Sequence, residues 1–347
     1  MKNKKLKVFH GLVNYGTQAG LFAKGLREKG IDAISVSGPD PFKRQIDVEL
    51  LHGGNWIEKI VKHSINWIRR FYWFFKYNTF HFYYGTTLFP KQMDLPFYKI
   101  FGKKIIMEYL GYDVQLYQYS LDKYEVTNVK YYKPHKESLI ADKKKSTRLK
   151  HETPYIDKQL VCAPYLLEFV PNAEILPLAI DLSQYQFSPK EIEDEEITIM
   201  HAPTSRGNKG TEFIMEALFK LIDEGYKIKI LLVENISHEE LKNKYKECDI
   251  FIDQILGGWY GTAAIEAMAI GRATVCFIRK SYCEQVDYGS NIPIINAEPK
   301  TIYTVLKQTL DNKHILKDLG RESREFVENV HDLNKITEKL ISIYKSL

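Results

Sequence analysis

Residues 253–271 read DQILGGWYGTAAIEAMAIG, and the fold of the whole chain can be argued outward from this stretch. An apolar run, Ile250-Phe251-Ile252, precedes Asp253 and has the character of a buried strand; glycines follow at 257, 258 and 261, and from Thr262 the pattern becomes helical. Glycine lets a backbone approach a ligand closely, and the unpaired amides of a helix start form an anion site suited to phosphate. Glu266 lies four residues after Thr262, one helical turn in and on the same face, where a carboxylate can accept two hydroxyl hydrogen bonds, as from a ribose. A plain Gly-rich turn with a surface glutamate is the competing description of the same residues.

A second passage, HAPTSRGNKG at 201–210, repeats the arrangement: a strand ends and a helix begins. Arg206 and Lys209 place two cations beside a helix N-terminus, where the macrodipole disfavours positive charge. A bound anion between them would explain the placement, and a solvated basic turn is the ordinary alternative. Two such turns at one edge of one predicted sheet weigh towards the anion.

Both turns belong to a chain in which short β-branched or aromatic runs alternate with helical patterns. Strands are expected at 7–13, 33–37, 79–84, 104–109, 159–162 and 173–180, with helices over 18–29 and 55–76. Beyond Ser188-Pro189 and the acidic run 191–196, read as a linker, strands follow at 197–201, 227–233, 249–254 and 273–278, with helices over 209–224, 237–247, 262–270, 301–310, 315–328 and 333–344. Such alternation predicts an α/β protein of two doubly wound, Rossmann-like parallel sheets, with ligands bound where the carboxyl ends of the strands face a crevice. The expected division is a first domain over 1–186, a second over 187–330, and a terminal helix over 331–347 that crosses back to the first domain. No repeat of 20 to 50 residues is evident.

With 347 residues, 44% hydrophobic, the chain has ample material for two cores, which excludes disordered and disulfide-scaffold classes. The four cysteines have no metal-ligand spacing and suit a reduced, cytoplasmic protein. Neither a signal peptide nor a membrane span is expected. The net charge of +5 hides an asymmetry: residues 1–186 carry 28 Lys and Arg against 18 Asp and Glu, a net +10, and the remainder carries −5. Such asymmetry concerns partners rather than fold.

Taken together, the 201–210 and 253–271 passages resemble the carboxyl-terminal half of glycosyltransferase family 4, retaining glycosyltransferases of the two-domain GT-B fold. The resemblance implies that Arg206 and Lys209 hold the donor diphosphate, that Glu266, in Glu-Ala-Met-Ala-x-Gly, binds the donor ribose, and that the backbone of Gly258, Trp259, Tyr260, Gly261 and Thr262 meets the donor sugar and phosphate. One departure is plain: Gly258 stands where the family pattern has its first glutamate, eight residues before Glu266. Asp253 or Gln254 could supply replacement polar groups only if the loop folds back.

In the amino-terminal half, GLVNYGTQAG at 11–20 joins strand to helix without the spacing of a dinucleotide fingerprint, so a NAD site is not expected. By the same resemblance its Asn14, Tyr15, Gly16 and Thr17 form an acceptor-side loop. The run from Leu110 through Gly111 to Asp113 is similar to a family turn that reaches the active site, with Leu110 where many members have histidine. Asp113 is thus a candidate acceptor or catalytic contact, or a residue that only shapes its turn. The family's chemistry implies front-face transfer without a protein nucleophile, the protein stabilising charge on the leaving diphosphate. Losing one cation that does so costs about 3 kcal/mol, roughly a hundredfold in rate. No Asp-x-Asp or His-x-x-His element is present, so the expected cofactor complement is a nucleotide sugar as co-substrate with no metal.

The basic half contains an aromatic stretch, Trp56–Lys76, in which Lys59, Lys62, Arg69, Arg70 and Lys76 are interleaved with Trp67, Phe71, Trp73 and Phe74. Its favoured description is the core-facing stripe of an amphipathic helix between two strands. The alternative is a helix lying on an anionic membrane surface at the inner face of the cell membrane. Lys143-Lys144-Lys145, Arg148 and Lys150 form a second basic patch of unassigned structure. No nucleic-acid motif is present; a glycan or lipid-linked acceptor accounts better for the charge. The expected function is sugar transfer from a UDP- or GDP-sugar in polysaccharide or glycolipid assembly. An inactive donor-binding scaffold is the main alternative, and a nucleotide-sugar epimerase of the same architecture a weaker one.

Overall fold

The computed structural model describes residues 5–190 and 195–347, so most of the acidic run read as a linker, residues 191–194, lies outside the described residues. In chain order the elements are β1 (Lys7–Leu12), α1 (Gln18–Glu28), β2 (Asp32–Ser37), β3 (Val48–Glu49), α2 (Trp56–Lys76), β4 (Thr79–Tyr83), α3 (Leu95–Ile100), β5 (Lys104–Tyr109), α4 (Tyr117–Lys123), α5 (His135–Glu152), β6 (Lys158–Val161), β7 (Glu174–Ile175) and β8 (Ile197–His201). There follow α6 (Arg206–Lys209), α7 (Thr211–Asp223), β9 (Ile228–Leu232), α8 (His238–Lys244), β10 (Ile250–Ile252), α9 (Thr262–Ile270), β11 (Ala273–Cys276), α10 (Lys280–Cys283), β12 (Ile294–Asn296), α11 (Ile302–Asp311), α12 (Leu316–Val330) and α13 (Leu333–Lys345).

Two parallel sheets result, one of seven strands in the order β3-β2-β1-β4-β5-β6-β7 and one of five in the order β12-β11-β10-β8-β9. The chain divides into two compact units. The first comprises Met1–Gln115, Lys143–Ala179 and Leu333–Leu347; the second comprises Leu116–Asp142 and Ile180–Asp332. Both sheets reverse direction of growth once, which creates a topological switch point in each. In the first unit it falls between β1 and β4, and in the second between β8 and β10.

The first unit's sheet is unusually aromatic: Phe9, Phe80 and Phe82 are fully buried and meet Trp73 and Tyr98 around one face. The opposite face carries a polar row on neighbouring strands, His10, His81, Tyr83 and Glu108, all without solvent exposure. Tyr344 of α13 reaches this row, its hydroxyl 2.6 Å from His81 Nδ1, while His81 Nε2 lies 3.1 Å from Glu108 Oε2. Burial lowers His81 to about 3 and raises Glu108 to about 8, so both are neutral at neutral pH. The terminal helix is thereby tied to the sheet by a hydrogen-bonded network as well as by packing.

The second unit has an aliphatic core in which Ile197, Ile199, Ile250, Ile252 and Val275 of the sheet pack on Ile214, Leu218 and Leu221 of α7 and on Leu306 of α11. His201 ends β8 by bridging elements: Nδ1 is 2.8 Å from the Ile252 carbonyl and Nε2 2.9 Å from Thr211 Oγ1. Burial lowers its pKa to about 4, so it serves as a neutral tie between β8, β10 and α7.

The reading of Trp56–Lys76 as a core stripe is overturned. Asn66, Trp73 and Phe74 are buried, whereas Trp56, Ile57, Ile60, Val61, Ile68, Phe71, Tyr72 and Phe75 are exposed, with Trp56 at 72% and Ile68 at 69%. Only the carboxyl-terminal end of α2 covers the sheet; the longer apolar stripe faces outward. The basic patch around Lys143–Lys145 lies on α5, an 18-residue helix that the sequence pattern did not disclose. The expected 173–180 strand shrinks to the two residues of β7, and the expected 209–224 helix is broken at Gly210, whose φ is +78°.

Candidate functional site

Within the second unit, the loops leaving β8 and β10 meet at the switch point and clasp each other. The Ile255 N–H donates to the Lys209 carbonyl at 3.1 Å, and the Lys209 ammonium pairs with the Asp253 carboxylate. Asp253 is almost fully buried, and its second oxygen accepts from the Gly261 N–H at 2.9 Å. One acid therefore fixes both the start of α9 and the position of the lysine. A Cβ built at Gly261 would lie 3.5 Å from Asp253 Oδ2 and 3.9 Å from Lys209 Nζ, so glycine keeps this corner open. No side chain caps α9, which leaves its first-turn amides facing the same corner.

Gln254 determines the path of the glycine loop. Its side-chain amide donates to the Trp259 carbonyl, and its backbone carbonyl accepts from Phe277 at 2.8 Å. Trp259 and Tyr260 turn inward: both are buried, their rings stack with centroids 4.9 Å apart, and the Tyr260 hydroxyl lies 3.1 Å from His331 Nε2. What these two residues present to the corner is backbone. Gly258 adopts φ +80°, and its carbonyl accepts from the Arg279 N–H at 3.0 Å. A Cβ at Gly258 would meet Arg279 Nε at 2.7 Å. The Arg279 guanidinium is itself held by the Val126 carbonyl and lies 4.0 Å from the Tyr124 ring centroid. Glycine at 258 is thus what this backbone requires, and an arginine occupies the side-chain space of the absent glutamate.

Glu266 is buried with both oxygens engaged, Oε1 with His238 Nε2 at 2.7 Å and Oε2 accepting from the Tyr245 hydroxyl at 3.0 Å. Burial, with the neighbouring Glu266 charge, holds the Tyr245 hydroxyl far above its usual pKa, and Tyr185 is raised for the same reasons. His238 side-chain exposure is 19%, so Oε1 is the oxygen on the accessible side. His238 opens α8 directly after β9, behind the Ser237–Glu240 capping box. That Ser-x-x-Glu signal could have placed it in the site from sequence. Arg206 stands apart from the clasp: it pairs with Glu212 at 2.9 Å and Glu234 at 3.1 Å, which raise its pKa further.

Compared with solved structures, the chain matches along nearly its full length. Sucrose-phosphate synthase from Thermosynechococcus elongatus has a TM-score of 0.64 at 14% identity, covering 99% of each chain. Anabaena HepE, in complex with UDP-glucose, has a TM-score of 0.60 at 11% identity, covering 98% of this chain and 99% of that one. A UDP-N-acetylglucosamine 2-epimerase has 0.53 at 12% identity, covering 100% and 98%. The chain has the GT-B fold. No protein-family profile and no curated protein matches the sequence.

The amino-terminal GT-B unit places the remaining candidates in loops of its own sheet. Asp113 is buried and accepts from the backbone N–H groups of Gly111 at 2.8 Å and Leu110 at 3.1 Å, so its carboxylate braces the turn after β5. Burial raises it to about 6. Asn14 is likewise engaged with backbone, donating to the Gln45 carbonyl at 3.0 Å and accepting from Gly20 at 3.3 Å. Gly16 and Thr17 take left-handed φ values of +51° and +68°, and Tyr15 projects outward at 43% exposure. Among the described residues no cluster of three or more His, Cys, Asp or Glu is placed to hold a metal, and no helix is long and apolar enough to cross a membrane.

Proposed function

We propose that this chain is a retaining glycosyltransferase that moves a sugar from a UDP- or GDP-sugar, without a metal, to a cell-envelope glycan, glycolipid or other acceptor. The observation that carries this reading is the clasp at the switch point of the five-stranded sheet, where Lys209 sits beside the uncapped start of α9. In the proposed reaction the donor diphosphate replaces Asp253 as the partner of Lys209 and takes hydrogen bonds from the amides of Thr262 and Ala263. As the anomeric C–O bond breaks, these groups stabilise the charge that collects on the diphosphate. The acceptor oxygen attacks the same face, and its proton passes to the departing phosphate oxygen, so no protein nucleophile is required. Arg206 swings from Glu212 and Glu234 to the diphosphate, the exchange being inexpensive because all three side chains meet solvent. Glu266 exchanges His238 for the ribose hydroxyls at Oε1 and keeps Tyr245 at Oε2.

The acceptor side is assigned to the first unit. The outward stripe of α2, with Lys59, Lys62, Arg69 and Lys76 on the same helix and Glu58 as its acid, suits an anionic membrane surface, where each nearby cation contributes about 1 kcal/mol. The inner face of the cell membrane is the proposed location, and a lipid-linked acceptor fits it. Flotation with phosphatidylcholine vesicles, with and without phosphatidylglycerol, tests this: binding that depends on the anionic lipid is expected, and no binding to either removes the membrane.

A donor-binding but inactive scaffold is the second reading, favoured by one observation: Arg279 fills the space where the family's glutamate would project from position 258. A thermal-shift screen of UDP- and GDP-sugars, followed by product analysis with the stabilising donor, separates the readings, because a bound donor raises the unfolding temperature with the logarithm of its concentration. Transfer with retained anomeric configuration is expected. Stabilisation without transfer or hydrolysis would support the scaffold, and interconversion of two UDP-sugars an epimerase.

A further inference from the structure

A cavity of about 660 Å³ in the first unit lies beside the carboxyl end of β1 and the loop after β4. Its wall collects Arg70 from α2, Lys91 from the β4–α3 loop, and Lys143, Lys144, Arg148 and His151 from α5. The α5 residues recur at three- and four-residue intervals, so one helix face delivers them together. We propose that this cavity binds a phosphate ester or diphosphate group. The proposal uses no residue of the second unit and stands apart from the transferase reading.

Three observations carry it. First, most of the cations lack an acidic partner. Among the described residues Arg70, Lys91, Lys143 and Lys144 form no ion pair, and Arg70 Nε and Arg148 Nε are buried without a hydrogen-bond acceptor. A buried guanidinium N–H without an acceptor is costly, and an arriving phosphate oxygen removes that cost. Arg148 does use its outer nitrogens, donating to the Asp113 carbonyl at 2.6 Å and weakly to the Tyr84 carbonyl at 3.4 Å, which aims the fork and leaves Nε without a hydrogen bond, 3.6 Å from Glu152 Oε2.

Second, the acids that face these cations are spent on other groups. Glu152 Oε2 lies 3.6 Å from Arg148 Nε, but Glu152 accepts from the Tyr109 hydroxyl at 2.8 Å and from the Gln92 amide. Asp94 attracts Arg70 only through space; its oxygens accept from Thr87 Oγ1 at 2.5 Å and the Tyr98 hydroxyl at 2.8 Å. Asp113 acts on Arg148 through space in the same way while its oxygens accept from the Leu110 and Gly111 N–H groups. Five cations thus face three buried carboxylates, leaving an excess of positive charge at the wall.

Third, the backbone around the cavity is held in uncommon conformations. Tyr84 and Gly85 have φ of +63° and +66°, and Lys91 and Gln92 have φ of +56° and +57°. Consecutive left-handed residues are strained, and such strain collects where ligands are gripped. A Cβ at Gly85 would come within 2.5 Å of the Arg148 guanidinium carbon, so glycine is what lets that fork lie against the loop. A planar guanidinium pair with flanking ammonium groups matches a tetrahedral phosphate better than a carboxylate, since several oxygens must be served at once.

Titrating inorganic pyrophosphate into the full chain by calorimetry, without nucleotide, tests the site. In a Lys209→Ala background, which takes the proposed donor-diphosphate site out of the measurement, the chain is expected to bind, and adding Arg70→Gln or the exposed double change Lys91→Gln/Lys144→Gln to lose at least about tenfold in affinity. The double variant guards against misfolding of the Arg70 variant, because both lysines lie at the surface. Absence of binding in the Lys209→Ala background, or unchanged affinity on adding the double change, overturns the proposal. The source of the phosphate is read from flotation with vesicles containing phosphatidic acid: loss in the double variant assigns a lipid-borne group, and retention together with loss of pyrophosphate binding assigns a soluble one.

Discussion

The two units hold their cations in opposite ways. In the second, Lys209 is paired with buried Asp253, Arg206 with Glu212 and Glu234, and Glu266 with His238 and Tyr245. In the first, the lysines and arginines around the β4–α3 loop and along α5 converge on a cavity where they outnumber the acids that face them. A paired site is preorganised and neutral until a ligand exchanges with an internal partner, whereas an unpaired one attracts any anion from a distance. The difference suits selective recognition in the acidic half and capture of a charged ligand or surface in the basic half.

The sharpest way to break this comparison is Lys209→Ala. Loss of a cation that stabilises a leaving diphosphate should lower kcat/KM about a hundredfold, near 3 kcal/mol, whereas Lys144→Gln should leave UDP affinity unchanged. A Lys209 variant within twofold of wild type in steady-state kinetics would remove the lysine from the mechanism.

Next in size is the loop conformation at Gly258. Gly258→Ala forces a Cβ into a left-handed residue and against Arg279, and should cost about 1–2 kcal/mol in urea unfolding. Gly30→Ala makes the comparison precise in kind: its φ is +77° but nothing lies within 4 Å of the new Cβ, so it reports backbone strain alone. Equal losses in the two variants would mean that the Arg279 contact contributes nothing.

A smaller effect is expected at the outward stripe of α2. Ile60 and Ile68 are 58% and 69% exposed, so Ile60→Glu/Ile68→Glu should leave the unfolding temperature nearly unchanged yet weaken flotation with anionic vesicles about tenfold. A large fall in unfolding temperature would instead show that the stripe is covered by protein.

The smallest effect concerns pH. Glu108 has its pKa raised by burial, so the folded state keeps a proton that the unfolded chain releases; its contribution is complete below about pH 4.5 and is lost as pH rises through about 8. His81, lowered by burial, acts oppositely, its contribution being lost as pH falls from about 6.5 towards 3. Glu108→Gln should therefore flatten the decline in urea stability between about pH 5 and 8 while keeping the acid-side loss. An unchanged slope between about pH 5 and 8 would show that Glu108 is charged in the folded protein.

Much of the second unit was legible because its signals are local. The glycines at 257, 258 and 261, the helix start at Thr262 and the cations at 206 and 209 all follow strands that their own apolar runs announce. Helix α5 was not legible, since its charged, evenly mixed sequence offers no apolar periodicity to detect. His238 went unremarked as a partner of Glu266 because the two are 28 residues apart, although the capping box beside it marks the right loop.

By itself, then, the sequence determined the alternation that makes two parallel sheets, the turns that follow their strands, and the charge difference between the halves, because each depends on residues close together in the chain. Tertiary structure alone decided that the stripe of α2 faces water, that Asp253 neutralises Lys209 from 44 positions away along the chain, and that Arg279 fills the space beside Gly258. Periodicity establishes that a helix has an apolar side but is silent on what that side meets, and the partner of a charge is whichever group the fold brings within hydrogen-bonding reach.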